Sequence, residues 1–180
     1  MSAAKNEEAE VIAGQTSEKY GGQYLTFLLG GEEYGIEILK VQEIKGWEST
    51  TSIPNTPTHI LGVLNLRGAI VPVMDMRKRF NLDSIEYGPT TVVIVVKMIQ
   101  EDMERTVGLV VDAVADVYRL SDSDVKPAPD MGCAIEAEFI RGLATVDDKM
   151  MILLEIDRLI DLQIIEKEAA SAPTLKITAD

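Results

Sequence analysis

The chain runs through one small pattern twice, and this repetition limits the possible folds more than any other feature. Residues 34–44, Tyr-Gly-Ile-Glu-Ile-Leu-Lys-Val-Gln-Glu-Ile, lie parallel to residues 107–117, Val-Gly-Leu-Val-Val-Asp-Ala-Val-Ala-Asp-Val. Gly35 meets Gly108, Val41 meets Val114 and Glu43 meets Asp116. Further on, Ile60-x-Gly62-Val63 meets Ile140-x-Gly142-Leu143, and Asp75-Met76 meets Glu155-Ile156 at unchanged spacing. The pattern implies two copies of a β-unit of roughly 60–70 residues. Units that small bury too little surface to be comfortable alone, so the copies are expected to share an interface. The uniformly apolar run 91–96, Thr-Val-Val-Ile-Val-Val, fits a strand covered on both faces by that sharing.

Within the first copy, residues 60–80 read as strands over 62–66 and 69–76, joined at Arg67-Gly68 and followed by a helical turn carrying Arg77, Lys78 and Arg79. Gly68 supplies the positive φ required by a type II turn, or by a type I turn with a bulge glycine. Pro72 cannot donate to a ladder, which places its strand at a sheet edge or at a bulge. Arg67 is the odd residue, because a short polar side chain would serve the turn better. The second copy has Asp147-Asp148 at that place. Scaffold demands alone would be similar in both copies, which points to a function for Arg67. Its guanidinium has two possible fates, solvent or a carboxylate. Glu43, at the end of a helical turn expected over 39–44, is the carboxylate a closing barrel would bring near; a bidentate, partly buried pair would fix geometry more than it stabilises.

The remaining elements follow from turn chemistry and alternation. Residues 1–22 read as a disordered tail. Strands at 24–29 and 34–38 flank a turn at 30–33, residues 49–57 are a loop, and 82–90 are a connector. Residues 97–105 read as a long charged hairpin loop, 106–111 return, and Ser121 to Asp124 form a capped turn. A second hairpin spans 142–146 and 149–154. The partition is a first barrel over about 23–88, a second over about 89–156, a C-terminal helix over about 157–170 and a frayed tail over 171–180.

Charge and motifs narrow the function. The net charge is −13 with 17 Lys+Arg, and no basic run exceeds the three residues at 77–79, which argues against phosphate backbones and anionic leaflets as partners. No apolar run approaches the roughly 20 residues that span a bilayer. Residues 1–14 lack the apolar core of a signal peptide. Cys133 is the one cysteine, so no internal disulfide can form, and a reducing, cytoplasmic setting is expected. His59 is the one histidine, and no serine sits in a nucleophile elbow. Paired-aspartate protease, phosphate-loop, dinucleotide and zinc motifs are absent. Asp122-Ser-Asp124 has calcium-loop spacing without the glycine and terminal glutamate, so capping accounts for it. Binding is favoured over catalysis, with no metal or cofactor.

The segments 33–44, 53–57 (Ile-Pro-Asn-Thr-Pro), 62–68 (Gly-Val-Leu-Asn-Leu-Arg-Gly), 70–75 (Ile-Val-Pro-Val-Met-Asp), 91–95 and 108–112 together resemble the CheW family, the coupling proteins of bacterial chemotaxis. The resemblance covers roughly residues 24–162; only the 97–105 loop and the N-terminal tail look longer than is usual. It implies a mainly β fold of two intertwined SH3-like five-stranded β-barrels with short helices and a C-terminal helix. It implies a non-enzymatic adaptor linking the cytoplasmic tips of methyl-accepting receptors to the regulatory domain of the histidine kinase CheA, so that receptor state controls autophosphorylation. By matching position, Val41 and Gly62 fall where the family contacts the kinase. Glu43, Arg67, Val92 and Val117 fall where it meets or supports the receptor hairpin, and the family pairs Glu43 with Arg67. The competing account of Val41, Val92 and Val117 is core packing, and of Gly62 a tight strand start. The resemblance further implies a monomer in isolation, higher-order arrays with partners, and a cytoplasmic location at the inner face of the membrane. Alternatives are a CheW-like scaffold of another chemosensory pathway (pilus motility or gene regulation), an uncharacterised double-barrel enzyme, and an oligonucleotide-binding barrel, which charge and aromatic content disfavour.

Overall fold

The computed structural model describes residues 20–128 and 137–159. The tail expected over 1–19, most of the helix expected over 157–170 and the tail 171–180 lie outside the described residues. The last three residues of the expected N-terminal tail are placed. The Tyr20 and Gly21 amides donate to Asp122 Oδ1 at 2.6 and 3.1 Å, and Gly22 pairs with Leu120.

The elements in chain order are β1 (Gly22–Leu29), β2 (Glu32–Glu37), a 3-10 turn (Ile38–Lys40), β3 (Val41–Gly46), β4 (Ile60–Leu66), β5 (Ala69–Asp75) and α1 (Met76–Arg79). There follow β6 (Val92–Gln100), β7 (Met103–Val111), β8 (Ala113–Leu120), a 3-10 turn (Asp122–Asp124), β9 (Val125–Lys126), a 3-10 turn (Ala137–Phe139), β10 (Ile140–Val146), β11 (Lys149–Leu154) and a 3-10 turn (Ile156–Arg158). They form two sheets, ordered β8-β1-β2-β11-β10-β9 and β3-β6-β7-β5-β4. The two-residue β9 has a single bridge, Thr51–Val63, as its counterpart in the other sheet, so both follow one five-strand plan.

The duplication read from sequence is present, and the copies are interlaced. Hairpin β1–β2 leaves the first half to join β8–β11, and hairpin β6–β7 leaves the second half to join β3–β5. A boundary at 88/89 therefore divides the repeats, while each sheet draws strands from both sides of it. Gly35 on β2 lies opposite Leu153 in a parallel pairing, as Gly108 on β7 lies opposite Val73. A Cβ would come within 2.8 Å of Leu153 Cδ2 at Gly35 and 2.9 Å of Val93 Cγ1 at Gly108. At both positions a neighbouring strand's side chain comes too close for a Cβ, from the parallel partner at Gly35 and from the hairpin partner β6 at Gly108. Bulges recur as well, between Leu25/Phe27 and Val41/Glu43, and between Ile60/Gly62 and Ile140/Gly142.

Four local expectations are corrected. Residues 41–46 are strand β3, and only Ile38–Lys40 is helical, because pairing with β6 satisfies that backbone. The charged segment 97–105 continues both strands of the β6–β7 hairpin to a turn at Glu101-Asp102. The turns at Gly30-Gly31, Arg67-Gly68, Glu101-Asp102 and Asp147-Asp148 each have positive φ at both residues, the type I′ signature whose twist matches the strands. Pro72 sits on β5, between β7 and β4, and not on an edge strand; pairing with β7 starts only at Val73, so the proline blocks no bond there.

The core has three parts. A central cluster takes Phe27, Leu29, Tyr34 and Ile36 from one sheet and Met74, Ile94, Val96, Met98 and Leu109 from the other. Val93 and Val95 point into a second cluster with Leu64, Val73 and Val110, so β6 is covered on both faces as its sequence indicated. Tyr24, Leu120, Ala144, Met151 and Leu153 fill the six-stranded sheet's own interior.

Candidate functional site

In the five-stranded sheet, β3 and β4 are the strands at opposite ends of the pairing order. Glu43 lies on β3 just after a bulge, and Arg67 heads the turn that follows β4. The turn is fixed by its own hydrogen bond, Gly68 N to Asn65 Oδ1 at 2.9 Å. Arg67 Nη2 donates to Glu43 Oε2 at 2.8 Å, so the pair bridges the seam where the sheet's ends meet. It is a single contact, not the bidentate, partly buried pair weighed above, and the Arg67 side chain is 88% exposed. Holding a non-glycine residue at φ 52 costs about 1–2 kcal/mol. An exposed ion pair contributes less than about 1 kcal/mol. Stability therefore does not account for Arg67; the arrangement displays a cation at a fixed place on the surface. Ile44 and Ile70 are exposed on the same sheet, Ile44 next to Glu43 in the chain and Ile70 opposite Asn65.

The other expected residues divide. Val41 and Val92 are half-buried against the central cluster and stand at opposite ends of the β3–β6 ladder, across from Val96 and Gly46. Each has a packed face and an open one. Val117 is 45% exposed on β8, the edge strand of the other sheet, opposite Leu25. Gly62 is buried with φ 141, and a Cβ there would lie 2.1 Å from the Thr51 carbonyl oxygen. Its place is set by the Thr51–Val63 bridge, so the tight-strand account holds for its local structure. The structure brings Glu43 and Arg67 together. Val41, Gly62 and Val92 share their sheet, and Val117 belongs to the other.

At the other end of β5 lies a polar network that residue patterning did not single out. Asp75 is 4% exposed and caps α1, with Oδ1 accepting from the Arg77 and Lys78 amides at 2.9 and 3.3 Å. Its Oδ2 accepts the Tyr87 hydroxyl at 2.5 Å. Burial, and then this carboxylate, push the Tyr87 phenol well above its ordinary pKa. Tyr87 packs on Trp47 with ring centroids 4.3 Å apart. Arg77 forms a fork with Asp112, Nε to Oδ1 at 2.7 Å and Nη2 to Oδ2 at 2.6 Å. Burial disfavours the Asp112 anion, yet the Arg77 fork and the Gly30 amide outweigh it and hold the carboxyl below its usual range. Asp75 followed by a basic turn is a readable capping signal; the Arg77–Asp112 pair joins residues 35 apart in the chain and leaves no local trace.

His59 is half-buried, and burial, then the Arg79 charge, lower its pKa. Among the described residues no group of three or more His, Cys, Asp or Glu could hold a metal, and no helix is long and apolar enough to cross a membrane.

Comparison with known proteins gives a consistent result. A family model described as a CheW-like domain matches residues 23–163. The chemotaxis protein CheW of Klebsiella aerogenes is 45% identical over 149 residues, which is 83% of this chain and 86% of that protein. The chemotaxis protein CheW of Rhizobium meliloti is 37% identical over 150 residues, 83% of this chain and 93% of that protein. Among solved structures, the scaffolding protein TtCheW from Thermoanaerobacter tengcongensis superposes with a TM-score of 0.71 at 34% identity, covering 78% of this chain and 93% of that one.

Proposed function

This chain belongs to the CheW-like family, and from that premise we propose that it is a non-enzymatic adaptor coupling chemotaxis receptors to the histidine kinase CheA. The observation that carries the reading is Arg67: a residue strained in its turn, almost fully solvated, and held by Glu43 in the sheet that also carries Val41, Gly62 and Val92. A fixed cation on a sheet that also exposes Ile44 and Ile70 suits a helical partner that docks through a few apolar anchors and one acidic contact. The receptor's cytoplasmic tip takes the Glu43–Arg67 seam, with Val92 and Val117 bordering or supporting it. The regulatory domain of CheA takes the face containing Val41, with Gly62 shaping the β4 start beneath it. Each contact is modest, and arrays multiply them. The adaptor works in the cytoplasm, at receptor arrays on the inner face of the membrane, and uses no metal or cofactor.

The test is calorimetric titration of the purified chain with the cognate kinase regulatory domain and, separately, with a receptor tip fragment. Both are expected to bind, and each is expected to bind the preformed complex with the other. Failure of both to bind removes the proposal.

A further inference from the structure

The chain passes between its two sheets at two places, and an ion pair holds each crossing. At Ile38–Lys40, on the way from β2 to β3, Lys40 Nζ meets Asp157 Oδ2 at 3.0 Å. At Asp112, on the way from β7 to β8, the carboxylate meets the Arg77 fork. The two sites are related by the internal repeat. Asp75-Met76-Arg77 corresponds to Glu155-Ile156-Asp157, so Arg77 and Asp157 are counterparts. In the register that sets Gly35 on Gly108, Lys40 falls on Ala113, the neighbour of Asp112. The partners are therefore equivalent in place to within one residue and opposite in sign. In both pairs the acid also accepts a backbone amide from the equivalent hairpin: Gly30 N to Asp112 Oδ2 at 3.0 Å, and Ile99 N to Asp157 Oδ1 at 2.8 Å. All four side chains are mostly buried.

A duplicated, interlaced fold has a particular hazard. Hairpins β4–β5 and β10–β11 share their bulge and their register, and each sets an equivalent residue, Val73 or Leu153, opposite a glycine in a parallel pairing. Backbone pairing alone would let β5 dock on β2 and β11 on β7. We propose that the charge inversion between these two ion pairs is the device that forbids the exchange. In the exchanged arrangement Arg77 would face Lys40 and Asp157 would face Asp112, two like-charge contacts in half-buried places. Native docking places opposite charges at both. Discrimination comes from the repulsion built into the wrong pairing as much as from attraction in the right one. A partly buried charge left against its like is expensive, which suits a decision between otherwise similar strand partners. The inference concerns assembly of the fold and is independent of the proposed adaptor role.

The experiment is refolding of the full chain from urea, reading native monomer yield by size exclusion and the approach to it by Trp47 fluorescence. The neutral variant carries Lys40→Gln, Asp157→Asn, Arg77→Gln and Asp112→Asn. The crossed variant carries Arg77→Asp and Asp157→Arg with Lys40 and Asp112 unchanged. The control is Leu64→Ala, a core truncation on β4 away from the crossings, with urea conditions chosen so that native-state stability is equal in all three. The expected order of native yield is control, then neutral, then crossed, with crossed several-fold below control and a slow or misfolded fraction accounting for the loss. A crossed variant that gives no native monomer leaves the decision to the neutral variant against the control. Equal yields and equal kinetics at matched stability would overturn the proposal.

Discussion

Glu43 and Arg67 meet across the seam of the five-stranded sheet, Oε2 to Nη2 at 2.8 Å, and the arginine occupies a left-handed backbone position to do so. Asparagine before glycine is the favoured pair for a type I′ turn, so Arg67→Asn is expected to raise stability by about 1 kcal/mol while removing the displayed cation. The same variant, and Arg67→Ala, are expected to stay folded and to abolish receptor-dependent kinase activation. Urea unfolding and reconstituted phosphorylation with receptor membranes check both halves. A folded variant with normal coupling would remove Arg67 from the site.

Gly62→Ala is expected to destabilise the protein by more than about 2 kcal/mol, because the new methyl lies 2.1 Å from the Thr51 carbonyl oxygen and φ is 141. Amide exchange is expected to rise first around Thr51 and Val63, whose mutual backbone bonds must part. Unchanged stability would mean that the 49–57 loop yields freely.

Tyr87→Phe strips the donor from Asp75 Oδ2 inside a buried site and is expected to cost about 1–3 kcal/mol in urea unfolding. In alkaline ultraviolet titration of the wild type, the Tyr87 phenol is expected to ionise above the ordinary tyrosine range, since burial and then the Asp75 charge both resist the phenolate. Loss of the late-titrating component in Tyr87→Phe assigns it.

Asp112 gives a pH dependence of definite sign. Its folded carboxyl lies below the unfolded value, so its contribution is present above the ordinary carboxylate range and is lost as pH falls through it. Asp112→Asn is expected to be less stable than wild type at neutral pH, with the two converging as pH falls through the folded carboxyl's lowered pKa. A stability gap that stays constant into acid would show that the carboxylate charge contributes nothing.

The duplication, the places of the turns at 30–33, 67–68 and 147–148 and the doubly covered β6 were legible in the sequence because each rests on short-range physics: repeated apolar spacing, turn residues between strand-like runs, and side-chain period. Glu43–Arg67 was reachable as one of two open fates, since only barrel closure brings β3 to the β4–β5 turn. The strand identity of residues 41–46, the paired strands inside segment 97–105 and the interior position of Pro72 depended on which neighbours were available to share hydrogen bonds. The Arg77–Asp112 and Lys40–Asp157 pairs join residues far apart in the chain, at the points where it leaves its strands. The sequence by itself determined that two like β-units would form. Which hairpin each unit would take from the other was decided only in three dimensions, because a repeated pattern offers every strand two equivalent partners and only long-range charge and packing tell them apart.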